Sequence, residues 1–182
     1  MSLFTLPTID TAPQASRATM QALKENFGFL PNVLATMGAN PVLLNGFAGA
    51  FGAYHGGSFD ECERQVLLLT NAVALRCPWT IAAHSTFALE DGMSAKEVND
   101  LRAGALPSNP RYAALSHLSK LILQKHGLVD DSDIAAFVAA GFVKEQVFEV
   151  ILGVGLSTLT AATTNLARTP IEDHFQAQIL AA

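Results

Sequence analysis

A chain of 182 residues can bury one sizeable core, and half of its residues are hydrophobic while only 15% are charged. That balance is rich for a lone subunit and predicts apolar surface buried against further copies of the chain. A net charge of −5, a pI of about 5.4 and the lack of any Lys/Arg cluster exclude nucleic acid as a partner; Met1 to Asp10 lacks the pattern of a secretory leader, and no uncharged apolar run of about 18 residues predicts a membrane span.

The punctuation along the chain predicts helices throughout. Thr11-Ala12-Pro13-Gln14 reads as a capping box, opening a helix that ends near Phe27-Gly28. Pro31 starts a short helix stopped by Gly38. Asn40-Pro41 is an N-cap followed by an N1 proline, and its helix runs to about His55-Gly56-Gly57. Gly46, Gly49 and Gly52 form a small-residue stripe on it, where another backbone can come close. Ser58-Phe59-Asp60-Glu61 is read as a second capping box, opening a strongly apolar, central helix to about Arg76. Pro78 opens the next, ending at Asp91-Gly92. Ser94-Ala95-Lys96-Glu97 is a third box, closed by Gly104. Asn109-Pro110 starts a helix ending at His126-Gly127, and Asp130 or Asp131 caps one ending at Gly141. A long helix spans about Val143 to Ala167. Its apolar part, Val147 to Leu166, is broken by Glu149, two glycines and several threonines, and reads as a buried helix. Thr169-Pro170-Ile171-Glu172 caps the last one. No strand-like alternation and no linker intervenes. The expected architecture is all-α, a single domain over residues 1–182 built as a bundle of about eight to nine helices.

Cys77, Thr80 and His84 hold the most chemistry. Offsets of three and four residues put them on one helical face. Cys77, just before Pro78, sits at or near a helix N-cap, where free N–H groups and the helix dipole favour a thiolate. His84 suits a general acid or base, and Thr80 can hold a water between the two. The same spacing also suits a packed core with one hydrogen bond per polar group, and spacing alone favours that plainer outcome. Cys62 has Glu61 and Glu63 beside it, which oppose a thiolate, and is read as a spectator. His55 and His126 precede glycines at helix ends and read as C-terminal caps. His117 reads as half-buried packing, and His174 as an unassigned residue near the end of the chain. No metal-ligand spacing and no phosphate-binding glycine loop is found, so neither a metal nor a nucleotide is expected. If the two cysteines flank one helix they lie roughly 22 Å apart and cannot bridge, a usage that fits a reducing cytoplasm.

The stretch from Glu63-Arg64-Gln65-Val66-Leu67-Leu68-Leu69 through Cys77-Pro78-Trp79-Thr80-Ile81-Ala82-Ala83-His84 resembles the carboxymuconolactone decarboxylase and alkylhydroperoxidase D-like family. Asn26-Phe27-Gly28-Phe29-Leu30-Pro31-Asn32-Val33 is similar to its peroxidase-related branch, and Ala139-Ala140-Gly141-Phe142 is similar too, so the resemblance covers most of the chain. It implies an all-helical protein that assembles as dimers, trimers or hexamers and needs no organic cofactor. In the family's redox members a glutamate, two cysteines in Cys-x-x-Cys and a histidine run a peroxide-reducing dithiol cycle. The corresponding positions here are Gln65, Cys77, Thr80 and His84, so two of the four depart. A threonine oxygen has no oxidation ladder, and a neutral glutamine carries no proton. The resemblance therefore leaves three readings. One is a peroxiredoxin-like antioxidant oxidoreductase that reduces hydroperoxides by a single-thiol route through Cys77, reset by an external thiol. Another is a cofactor-free decarboxylase or lactone-processing enzyme that uses His84 on a small carboxylated substrate. The third is a non-catalytic helical assembly with a relic pocket.

Overall fold

The computed structural model describes residues 4–179. Among them are α1 (Gln14–Phe27), α2 (Asn32–Met37), α3 (Pro41–His55), α4 (Glu61–Ala74), α5 (Pro78–Glu90), α6 (Ala95–Arg102), α7 (Pro110–Lys125), α8 (Asp131–Ala139), α9 (Gln146–Ala167) and a 3₁₀ turn, Asp173–Gln178. No strand occurs among the described residues.

The bundle is organised around α4, which is buried without a break from Glu63 to Ala72. A helix covered on every side must sit at the centre, and α5, α6, α7 and α9 pack around this one. Its polar side chains are satisfied inside the bundle. Thr70 donates to the Ser116 hydroxyl (2.8 Å), and Asn71 accepts from Ser119 (2.9 Å) and donates to Ser157 (3.2 Å). Glu63 pairs with Arg111, whose guanidinium lies 3.7 Å over the Phe142 ring. Each bond removes the desolvation cost of a buried polar group.

Most predicted helix starts stand. Asn40 and Asn109 accept from the second and third backbone N–H groups of α3 and α7, with a proline at N1 in both. Ser94 caps α6 and Asp130 caps α8. Three differ. The α4 capping box belongs to Asp60 and Glu63, not Ser58. Ser58 instead donates to Glu149 and accepts from Gln146 (2.7 Å each), holding the first turn of α9. α1 starts after Pro13 with no side-chain cap, because the Thr11 hydroxyl is engaged with Thr8. The terminal segment forms a 3₁₀ turn that Thr169 and Glu172 do not cap; Thr169 pairs with Thr36 (3.0 Å), and Glu172 turns inward.

The stripe Gly46, Gly49 and Gly52 is not a contact among the described residues, since a Cβ at any of them would meet nothing within 4 Å there. The close approach is instead at Gly153 on α9, where a Cβ would strike Leu67 and Tyr54. α9 is long and apolar enough to cross a membrane by length and composition alone. Its inner face, including Val150, Leu156, Ser157 and Thr164, is buried, and the helix packs on α2, α3, α4 and α7. Phe148, Ile151, Leu159 and Leu166 stay exposed on its outer side. His126 takes the left-handed C-cap position of α7, as expected. His117 is exposed rather than half-buried, 3.9 Å from Asp133.

Candidate active site

The site grows from the corner between α4 and α5. Leu75 ends α4, and Arg76 takes a left-handed conformation (φ 51°). Cys77 is the extended N-cap of α5 (φ −104°, ψ 97°), as a residue before proline prefers. The corner turns the Cys77 side chain into the core, where it is fully buried. Its Sγ lies 2.9 Å from Thr80 Oγ1 and 3.0 Å from Thr164 Oγ1. Thr164 spends its one hydroxyl hydrogen on the Thr160 carbonyl (2.9 Å), so toward Cys77 it can only accept. The consistent arrangement is Thr80 O–H to Sγ, and S–H to Thr164. Both roles of a neutral thiol are filled.

His84 lies two turns further along α5 and serves a different site. Its Nδ1 is 2.8 Å from Gln65 Oε1, and Gln65 Nε2 donates to Asp91 Oδ2 at 3.0 Å. The Asp91 carboxylate can only accept, which fixes the Gln65 amide. The amide oxygen then accepts from His84 Nδ1–H. This tautomer leaves the Nε2 lone pair free. Burial, with repulsion from His55 second, lowers the His84 pKa to about 3, so the ring is neutral at ordinary pH. His55 is also lowered, first by burial and then by the Arg64 guanidinium.

His84 and Gln65 line a cavity of about 230 Å³, and neither Cys77 nor Thr80 does. Its walls are aromatic: Phe27, Phe47, Phe51, Trp79, Phe87 and Phe175. The last is delivered by the 3₁₀ turn, whose preceding Glu172 accepts from Trp79 Nε1 (2.8 Å) and Asn32 N–H (2.5 Å). Phe175 meets Trp79 and Phe87 edge-on. Glu61, Arg64, His55 and Asp91 complete the polar side of the cavity.

The structure thus divides the predicted constellation into two pairs, Cys77 with Thr80 and Gln65 with His84. The expectation that one face would bring all three α5 side chains into one reactive group is corrected: Cys77 and Thr80 are 0% and 1% exposed and stand behind the cavity. Cys62 is a spectator by geometry, with its thiol on the Asp91 carbonyl (3.4 Å) and burial pushing its pKa up. His55, Asp91 and the aromatic wall were not identified as site residues from the sequence. The expected cap role of His55 is corrected: Gly56 is the C-cap of α3, and the His55 ring packs 4.1 Å from Phe51 and lines the cavity.

Residues 41–120 match the family model of the Carboxymuconolactone decarboxylase family. Over these residues, fewer than half of the chain's 182, the chain is similar to this family. The matched stretch runs from the start of α3 into α7 and contains Gln65, Cys77, Thr80 and His84. No curated protein matches the chain in sequence. Solved structures share its fold. A protein from Ralstonia eutropha JMP134, described as an alkylhydroperoxidase AhpD core and an uncharacterized peroxidase-related protein, is 19% identical with a TM-score of 0.84, covering 96% of this chain and 94% of its own. An uncharacterized peroxidase-related protein from Silicibacter sp. TM1040 is 16% identical with a TM-score of 0.81, covering 97% and 95%. The debrominase Bmp8 is 17% identical with a TM-score of 0.75, covering 98% and 96%. At these identities the likeness establishes the all-α fold of the chain and no activity.

Proposed function

We propose that this protein is a cofactor-free enzyme that moves a proton on a small, mostly apolar substrate, with His84 Nε2 as the acid–base group. The observation that carries the reading is the chain Asp91–Gln65–His84, which fixes one tautomer beside an aromatic cavity. Gln65 and Asp91 are positioning residues. A neutral imidazole on an aromatic-walled cavity accepts a hydrogen bond from substrate at Nε2 and takes the proton as negative charge develops on the substrate. The new ion pair then offsets the burial that keeps the free ring neutral. Assay of small lactones, phenols and azoles tests this. Loss of turnover by a factor of roughly 10² to 10⁴ in His84→Ala, with Cys77→Ser active, is the expected result. Turnover that survives His84→Ala overturns it.

A second reading is a thiol peroxidase, favoured by Cys77 at the N-cap of α5 with the Thr80 hydroxyl on its sulfur and by the names of two structural neighbours. The Cys77 thiolate would attack the terminal oxygen of a hydroperoxide, giving sulfenic acid and an alcohol; one small external thiol would condense with it to a mixed disulfide and water, and a second would release Cys77 and leave as the disulfide. The complete burial of Cys77 and the acceptor role of Thr164 count against it. Stopped-flow peroxide consumption separates the two, since equal rates in wild type and Cys77→Ser end the thiol route. With either chemistry we propose a homo-oligomer in a reducing cytoplasm. The exposed outer stripe of α9 would seat a second copy of the chain, and a monomer mass by light scattering would refute it.

A further inference from the structure

The cavity carries information about its occupant that the family name does not. About 150 Å³ of apolar cavity is enough to hold benzene in an engineered protein interior. The 230 Å³ here suit one substituted ring or a small fused pair. Six aromatic side chains from α1, α3, α5 and the 3₁₀ turn surround that space, which favours stacked and edge-on contacts with a flat ring.

The charged groups facing the space are equally specific. Asp91 and Glu61 bring two carboxylates to its polar side. The one cationic lining residue among the described residues, Arg64, has its guanidinium tied to the Phe59 carbonyl and to Glu61 Oε1. Both histidines on the cavity have depressed pKa values and supply no positive charge at neutral pH. A substrate carboxylate would lose its hydration and gain no free cation, a costly transfer. The fixed His84 tautomer offers the opposite complement, an unspent acceptor nitrogen on a residue that lines the cavity.

We infer that the cavity takes an uncharged aromatic ring bearing one N–H or O–H donor directed at His84 Nε2, and discriminates against carboxylates. The inference rests on the His84 tautomer used in the proposed function, but it concerns binding and is read without turnover. A ring N–H or phenolic O–H placed there is the proton that His84 would accept. The expected small carboxylated substrate is the class that this cavity disfavours.

Trp79 is the chain's only tryptophan and lines the cavity, so its fluorescence reports occupancy. The whole chain is titrated with phenol, anisole, toluene and benzoate at pH 7, with calorimetry in parallel. Phenol should bind more tightly than anisole, its methyl ether without a donor, and roughly tenfold or more tighter than benzoate. In His84→Leu, phenol should weaken about fivefold or more while toluene is unchanged. The wild-type comparison of phenol with anisole stands alone if that variant does not fold. Benzoate matching phenol, anisole matching phenol, a variant that affects phenol and toluene alike, or no binding by any probe overturns the inference. Phenol binding without turnover of any donor ring would sink the acid–base reading and leave this one intact. His84-dependent turnover of a carboxylated lactone with benzoate bound tightly would do the reverse.

Discussion

Gln65 Oε1 lies 2.8 Å from His84 Nδ1, joining the central helix to the helix that bears the candidate base. Where the family resemblance implies a proton-carrying glutamate, position 65 holds a neutral amide, and the neutral amide dictates a tautomer. Gln65→Glu should therefore change the ring more than any change in the wall. A carboxylate at Nδ1 favours the imidazolium, so the His84 pKa should rise by about one unit or more from its depressed value. Histidine ring NMR resonances followed against pH check this. An unmoved or lowered value would mean that the amide does not set the electrostatics of the ring.

His84 also makes stability depend on pH. Its folded pKa, about 3, lies below the ordinary histidine value of 6.5. Between those two values the unfolded chain binds the proton and the native ring does not. The contribution is therefore fully present above about pH 6.5 and is lost as pH falls toward 3, with a slope of up to about 1.4 kcal/mol per pH unit from this one group. His55, shifted in the same direction, adds to it. Urea unfolding of wild type and His84→Gln at pH 4 to 7 isolates the term. The variant should lose less stability on acidification, and parallel curves would contradict the assignment.

The two cysteines should differ sharply toward a thiol reagent. Cys77 is fully buried between two threonine hydroxyls, whereas Cys62 is partly exposed. Ellman titration of the native protein should give one accessible thiol, absent in Cys62→Ser. Cys77 should appear only on unfolding. Rapid native modification of Cys77 would revive the thiol route, because a reagent that reaches the sulfur shows a path for peroxide.

The helices were legible because each start and stop uses a residue with a local mechanism. Asn40-Pro41, Asn109-Pro110 and Gly28 act within a turn of where they stand. Ser58 was misread because Asp60, two residues on, competes for the same backbone N–H groups. Ser58 is better satisfied by Glu149, 91 residues away, which no local rule reveals. The contact of Cys77 with Thr80 follows from their spacing. Cys77 and His84 share a face but stand about 10 Å apart along the axis at 1.5 Å per residue. An N-cap conformation also takes the thiol off the helical wheel. Spacing gives the direction of Thr80 and His84, which are inside the helix, and gives the depth of neither. Depth is set by α9, whose Thr164 closes over the sulfur, by Asp91 at the far end of α5 itself, and by Phe175, which frames the cavity from a distant segment.

Glu172 offers the most direct way to test how that cavity is framed. One carboxylate accepts from Trp79 Nε1 on α5 and from the Asn32 backbone at the start of α2, so it holds two walls and the turn that carries Phe175. Hydrogen bonds to a charged acceptor contribute about 1.5 to 3 kcal/mol each. Some of this is recovered by water in a truncated variant, because Glu172 is only partly buried. Glu172→Ala should cost about 2 kcal/mol in denaturant unfolding, within that range. Trp79 emission should shift to the red as its indole N–H turns to water, and a bound ring should be held more weakly as Phe175 is released. The isosteric Glu172→Gln keeps one acceptor oxygen and should retain the Trp79 contact with a smaller loss. If Glu172→Ala lowers stability while Trp79 emission and probe binding stay as in wild type, the 3₁₀ turn is a strap on the bundle and not a wall of the site.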